Sequence, residues 1–423
     1  MVKTSVIPGF YKLPLKERLS IVKDFAGLTD EEVSLLENTG SIGIDVVDHM
    51  VENVIGVFPE PLGLAVNFRI NNRDYLIPMA TEEPSVIAAA CYAAKMVREG
   101  GGFHTSSTTP VMIGQVQVVG CKDSEIAKKQ VLDAKAKILK VANDQDPVLN
   151  SFGGGAKDLG AKIINTSMGQ MLIVELFIDC RDAMGGNAVN TMAEAVAPLI
   201  ELLTGGKVYL RILSNLATKR MAKAWCTVPK EALGGEEVVN GIAYASAFAA
   251  ADPYRAATHN KGAMNGIVAV VLATGNDHRA IEAGGHAYAG LNGTYTSFSK
   301  WIKNKNGDLE GVIELPMAVG LIGGAVKTHP IARIAMKILD VKTANEFAEV
   351  LAAVGLAQNL GALRALASEG IQRGHMSLHA RNIAITAGAT DDMVDKVAAQ
   401  MVKERKVRVD RAKEILEELK GKP

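Results

Sequence analysis

Four side chains in the 423-residue sequence have types suited to moving protons or holding a developing charge: Glu83, Lys261, Asp277 and His379. Glu83 stands in Glu82-Glu83-Pro84-Ser85, at the mouth of an Ala-rich helical segment. There it either complements the helix dipole or serves as a carboxyl among apolar neighbours that donates a proton near neutral pH. Lys261 lies in ATHNKGAMNG, flanked by Gly262 and Ala263, which suits a buried ammonium better than a solvated helix face. A buried ammonium needs a partner. The nearest downstream candidate is Asp277 in ATGNDHRAIEAGGHAYAG, at the end of a strand-like IVAVVLA. Asp277 equally reads as the N-cap of the next helix. His379 lies four residues after His375 in GIQRGHMSLHARNIA, a spacing that invites a metal. The Glu of HExxH and a third ligand are missing, so an imidazole acid is more economical, with a pair of solvated helix histidines as the alternative.

Gly153-Gly154-Gly155 and Asp182-Ala183-Met184-Gly185-Gly186-Asn187 each fall where a strand or loop meets a helix. Backbone amides at such helix starts can hold a pyrophosphate, and turns needing positive φ explain the same glycines. Neither GxGxxG nor GxxxxGK[ST] occurs, so the sequence carries no Rossmann fingerprint and no P-loop.

The elements that must position these groups follow from periodicity. Residues 14–38 carry helical spacing with starts at Pro14 and Thr29-Asp30. Residues 62–80 alternate as a hairpin about Asn71-Asn72, and the Ala-rich helix, read as packed on all sides, runs to about Glu99 before Gly100-Gly101-Gly102. From residue 110 the order is strand, one helix over 124–144, a hairpin around Ser167-Met168-Gly169, a helix over 184–203 and the strand KVYLRIL. That order predicts a small α+β sandwich over about 110–216, inserted into a larger helix-rich unit. Residues 340–370 are strongly helical, and 391–420 form a charged helical tail.

Composition bounds the function. With 46 basic and 46 acidic side chains and 5% aromatics, a nucleic-acid partner is not expected. No membrane partner is expected either, because no apolar stretch approaches the roughly 18 residues of a membrane helix, Val86–Ala94 being the longest read. The N-terminus lacks an apolar signal core, and Cys91, Cys121, Cys180 and Cys226 lie far apart, reading as small hydrophobes in a reducing, cytoplasmic setting.

Taken together, the segments resemble the class II hydroxymethylglutaryl-CoA (HMG-CoA) reductases over nearly the whole chain. The matching stretches are Glu52-Asn53-Val54-Ile55-Gly56, Glu82 to Ser85, Arg181 to Gly185, Asp252 to Gly266, Gly275-Asn276-Asp277 and Gly374 to Asn382. The resemblance implies an α+β multi-domain fold: a large helix-rich α/β substrate domain (1–109 and 217–373), an inserted small non-Rossmann, ferredoxin-like cofactor domain (110–216) and a C-terminal helical flap (374–423). It implies reduction of the HMG-CoA thioester to mevalonate and CoA with two NAD(P)H, through mevaldehyde. Lys261 would stabilise the oxyanion, Asp277 would hold that ammonium, Glu83 would protonate the aldehyde-level oxygen and His379 the departing thiolate.

The same resemblance places Glu52, Asn53, Ser85, Arg255, Thr258 and Asn265 on the substrate, and Asp182, Met184, Gly185, Asn187 and Asn215 on the cofactor. Of Asp144 and Asp146, ahead of the glycine triad, Asp146 is the closer match to the acid of class II enzymes that favour NADH. The resemblance thus implies that NADH is preferred, with NADPH as the alternative; both acids equally read as the solvated end of the preceding helix. No metal is implied. A homodimer with active sites at the interface is implied, or a hexamer. At the position of a CoA-phosphate-binding Arg of some members stand Tyr11 and Lys12. Mevalonate oxidation by the same site stays open as the physiological direction. A non-catalytic CoA- or nucleotide-binding protein would lack one of the four catalytic types, and all four are present. Hydrolysis of an acyl-CoA would need a nucleophile with a nearby base; no GxSxG occurs, and the cysteines lie outside the matching stretches.

Overall fold

The structure is a computed structural model describing residues 4–38, 40, 42–368 and 371–420; the side chains at 325, 371–378 and 420 are not among those described. The chain opens with α1 (Leu15–Ala26), α2 (Asp30–Glu37) and a short α3 (Ile44–Val47), then the hairpin β1 (Leu62–Ile70) and β2 (Arg73–Ala80), α4 (Val86–Glu99) and β3 (His104–Ser107). A middle segment follows: β4 (Val111–Val119), α5 (Ser124–Asp133), α6 (Lys135–Asn143), α7 (Pro147–Ser151), β5 (Gly155–Thr166), β6 (Gly169–Asp179), α8 (Gly186–Thr204) and β7 (Lys207–Ser214). The chain returns through β8 (Met221–Val228), α9 (Lys230–Leu233), α10 (Glu236–Ala251), α11 (Pro253–Ala273), α12 (His278–Ala289), β9 (Ser299–Lys303), β10 (Leu309–Pro316), α13 (Ala325–Thr328), α14 (Pro330–Leu339) and α15 (Ala344–Ala367). It closes with α16 (Ile371–Thr386), α17 (Asp392–Glu404) and α18 (Val409–Lys420).

Helix and strand mix in separate hydrophobic clusters. The largest gathers α4, α11, α15 and the sheet β3-β8-β10-β9. A second lies between the antiparallel sheet β5-β6-β4-β7 and helices α5, α6 and α8. A third joins α16, α17 and α18, so the charged helical stretch over 391–420 is two helices that share a core with α16.

Four sequence expectations change. IVAVVLA is not a strand but the last third of α11, whose 21 residues run without a break. An apolar run buried on most sides has no period to tell strand from helix, and packing against α15 decides it. The helix expected over 124–144 breaks at Ala134 (φ −87°, ψ 8°) into α5 and α6. In α4 the face of Ala88, Tyr92 and Lys95 is exposed, so the alanines pack one side only. Finally, α15 is long and apolar enough to cross a membrane, yet 67% of its most apolar window is buried inside the fold.

α15 is the shaft on which the site is mounted. At Gly361 an added Cβ would stand 3.1 Å from the Ala89 carbonyl of α4, and at Gly266 of α11 it would stand 2.9 Å from Gln358 Cβ. The missing side chains therefore let α4 and α11 both lie close against α15.

Candidate active site

α11 is buried along most of its length, and one of its faces carries Tyr254, Thr258 and Lys261, which are exposed, followed by Asn265, Val268 and Leu272, which are half-buried. The steps alternate between three and four residues, which keeps them on one face. Three of the residues expected to bind substrate or catalyse thus share a stripe. Its start is set by Asp252, whose side chain accepts from Arg255 N at 2.7 Å, with Pro253 at the first helical position. Arg255 itself is half-buried beside His259.

Opposite the stripe, the turn before α4 presents Glu83. Lys261 Nζ donates to Glu83 Oε2 at 3.2 Å, with the Lys side chain 62% and the Glu side chain 37% exposed. The expectation that Lys261 is buried and held by Asp277 is corrected here. The small residues around Lys261 open its face to solvent, and its ion partner is Glu83. Two residues on, Ser85 caps α4 in the left-handed region (φ 78°, ψ −18°), a strained conformation for a residue other than glycine.

Asp277 follows α11 after the turn Thr274-Gly275-Asn276. It is the N-cap of α12, accepting from Arg279 N at 3.0 Å and Ala280 N at 3.2 Å, and its second oxygen meets Arg279 Nη2 at 3.1 Å. No ion pair joins it to Lys261 among the described residues. His379 is exposed on α16; the His375 side chain lies outside the described residues. Glu52 and Asn53 sit in an exposed loop after α3, Asn53 with φ 57°.

The residues expected on the cofactor side gather around the loop joining β6 to α8. Gly185 caps α8 with φ 104°, and a Cβ there would meet Cys180 Sγ at 2.4 Å, so only glycine fits. Asn187 lies exposed in the first turn of α8. Asp182 Oδ1 accepts from Ala344 N at 2.8 Å, tying the loop to the start of α15. Asp146 caps α7, accepting from Leu149 N at 2.8 Å. Nearby, Arg181 Nη2 donates to Gly153 O, so both residues flank the glycine triad. Asn215 is exposed just past β7, its carbonyl against Gly284 of α12. An open helix N-terminus, a glycine loop and a cation at one place fit the phosphates of a dinucleotide. Lys12 lies over the exposed Tyr11 ring, 5.7 Å from its centre.

Sequence reasoning missed Arg220. It is only 4% exposed and donates to the carbonyls of Ala183 (3.0 Å), Met184 (2.9 Å) and Val319. A buried Arg reads from sequence as one more surface charge.

The fold mixes helix and sheet in an α+β arrangement, with a Lys–Glu pair between α11 and the turn before α4, and a glycine-rich turn into α8 that lacks the Rossmann spacing. Residues 14–380 match the family model described as hydroxymethylglutaryl-coenzyme A reductase. The 3-hydroxy-3-methylglutaryl-coenzyme A reductase of Archaeoglobus fulgidus is 59% identical over 99% of this chain and 95% of its own length. A probable enzyme of that name from Borreliella burgdorferi is 38% identical over 80% of this chain and 78% of its own. A solved structure of the Streptococcus pneumoniae reductase superposes with TM-score 0.84 at 39% identity, covering 97% of this chain and 99% of that one. A class II structure from the same organism, bound to NADPH in open conformations, gives TM-score 0.83 at 40% identity over 85% of this chain and 99% of that one. The chain belongs to the hydroxymethylglutaryl-coenzyme A reductase family, the oxidoreductases of the mevalonate pathway.

Proposed function

We propose that the stripe of α11 and the turn before α4 form the reducing centre for HMG-CoA, acting in the direction of mevalonate. The carrying observation is the Lys261–Glu83 contact beside Thr258 and Asn265. Hydride addition to a thioester carbonyl builds negative charge on oxygen, and Lys261 is the cation that stabilises it. Glu83, already hydrogen-bonded to that ammonium, protonates the oxygen at the aldehyde level. Asp277 tunes the pair from the N-cap of α12, and His379 protonates the departing CoA thiolate so that it does not add back. Arg255 is suited to the free carboxylate of the hydroxymethylglutaryl group, with Ser85, Thr258 and Asn265 on its remaining oxygens and Glu52 and Asn53 closing the site.

A nicotinamide cofactor supplies the hydride in both steps. Asp182, Met184, Gly185, Asn187 and Asn215 hold it, and Asp146 selects NADH over NADPH. The middle sheet order β5-β6-β4-β7 over a strand–helix–strand–strand–helix–strand chain is that of a split βαβ, ferredoxin-like unit. This supports residues 110–216 as an inserted cofactor domain, residues 1–109 and 217–373 as the substrate domain, and residues 374–423 as a helical flap bearing His379.

A second copy completes the site in this reading. The loop carrying Glu52 and Asn53 exposes Val51, Ile55, Val57 and Phe58, an apolar run suited to burial against another chain. A homodimer, or a hexamer assembled from it, would cover this loop, and a cytoplasmic location suits the four free cysteines. Purified protein assayed with HMG-CoA and either NADH or NADPH tests the core of the proposal. Two equivalents of cofactor oxidised per mevalonate supports it; no oxidation with either cofactor overturns it.

A further inference from the structure

Two loops carry the halves of the reaction, and they meet through a third. The catalytic turn ends at Asn276-Asp277, and Asn276 Oδ1 accepts from Gly320 N at 2.9 Å. Gly320 in turn lies against the cofactor loop: a Cβ added there would be 2.4 Å from Met184 N and 3.0 Å from Ala183 C. Backbone touches backbone at this point, and Leu321 N donates to Asp182 O at 2.8 Å just beyond. Arg220 closes the arrangement from below. Its guanidinium donates to Ala183 O and Met184 O on one side and to Val319 O on the other, so one planar fork grips both loops. Its backbone is equally fixed, with Met317 N donating to Arg220 O at 2.9 Å. No carboxylate makes an ion pair with it among the described residues. The carboxylates of Asp179 and Asp182 act on its charge without bonding to it, while every hydrogen bond its guanidinium makes goes to a carbonyl of one of the two loops. The cost of burying this cation therefore points to a role at the joint.

We propose that Arg220 is a positioning residue for hydride transfer. It locks the loop Asp182–Gly185 to the turn Val319–Gly320, and Asn276 locks that turn to the catalytic Asp277, which sets the separation between hydride donor and acceptor sites. This rests on the reading above that the loop Asp182–Gly185 holds the nicotinamide cofactor.

The test uses the full-length chain with two variants. Arg220→Met keeps the length of the side chain and removes the fork. Expected is a fall in kcat of about 10²-fold for both HMG-CoA and mevaldehyde, because a misplacement near 1 Å costs about that much. KM for HMG-CoA should stay within a few-fold of wild type. The primary isotope effect with cofactor deuterated at the transferred position should rise. Amide exchange of Ala183 to Gly185 in the protein without cofactor should quicken at least tenfold. Asn276→Ala cuts the second joint and should show the same pattern more weakly, and it decides alone if Arg220→Met does not fold. A folded variant with wild-type kcat, isotope effect and exchange would overturn the proposal, as would a loss confined to the KM of the cofactor. Failure of the wild-type protein to oxidise NADH or NADPH with HMG-CoA would instead overturn the functional reading on which it rests.

Discussion

Lys261 Nζ lies 3.2 Å from Glu83 Oε2 although 178 residues separate them in the chain. The contact arises because α4 and α11 both rest on α15 at glycine contacts, which brings the turn before one helix over the middle of the other. An ion pair this exposed is worth roughly 0–1 kcal/mol to stability. Its placement therefore answers to chemistry rather than to folding.

That argument gives the first prediction. Lys261→Ala should leave the thermal midpoint nearly unchanged while lowering kcat by about 10²-fold or more, with HMG-CoA binding little altered. Turnover and melting curves on the same preparation check it. Near-normal kcat in the folded variant would remove Lys261 from the oxyanion role.

His379 separates the two half-reactions. If it protonates only the departing thiolate, His379→Gln should cripple reduction of HMG-CoA and largely spare reduction of free mevaldehyde, which has no thiolate to lose. Assays with both substrates decide it, and an equal loss in both would reject the assignment.

Much of this site was legible because its residues sit in short motifs. The N-cap alternative for Asp277 was correctly open, since Asp before a helical pattern signals a cap. The hairpins at 62–80 and 162–180 followed from alternation about turns. What escaped was long-range. The helical character of IVAVVLA depends on α15, 80 or so residues later, because a run buried on most sides lacks a period. The exposure of Lys261 and its pairing with Glu83 depend on helix packing through Gly361 and Gly266, which no local pattern announces. Arg220 was invisible for the same reason: its three carbonyl acceptors come from loops 36 and more residues away.

The core beneath α11 carries a pH signature. His259 is 2% exposed, its Nε2 2.7 Å from Ser299 Oγ, and Nδ1 has no hydrogen-bond partner among the described residues. Burial, with the nearby Arg255 charge second, lowers its pKa from 6.5 to about 4. The unfolded chain thus binds a proton between pH 6.5 and about 4 that the folded chain refuses, so stability rises with pH across that window and is fully present above it. The whole contribution is at most about 3 kcal/mol. Urea unfolding from pH 4 to 7 should show this slope, and His259→Gln should flatten it. An unchanged slope in that variant would assign the pH dependence to other groups.

Cofactor choice turns on the charge of Asp146. A carboxylate accepts hydrogen bonds from the ribose 2′-hydroxyl of NADH and repels the 2′-phosphate of NADPH. In the structure Asp146 Oδ1 is committed to Leu149 N as the cap of α7, and Oδ2 has no hydrogen-bond partner among the described residues. One oxygen thus holds the helix, and the other is left unengaged on a half-buried residue. Arg181 lies on the same glycine loop through Gly153 O, its side chain 44% exposed, and would favour a phosphate once the acid is gone. Wild type should therefore prefer NADH, and Asp146→Gly should narrow the gap. Because glycine also weakens the cap, by a few tenths of a kcal/mol, Asp146→Asn is the sharper variant: it keeps the cap oxygen and removes only the charge. Both variants should shift the ratio of kcat/KM for NADPH over NADH upward by tenfold or so, a repulsion of about 1.4 kcal/mol relieved. Steady-state kinetics with both cofactors measure it. A wild-type enzyme favouring NADPH would sink the assignment, and so would an Asp146→Asn variant with an unchanged ratio.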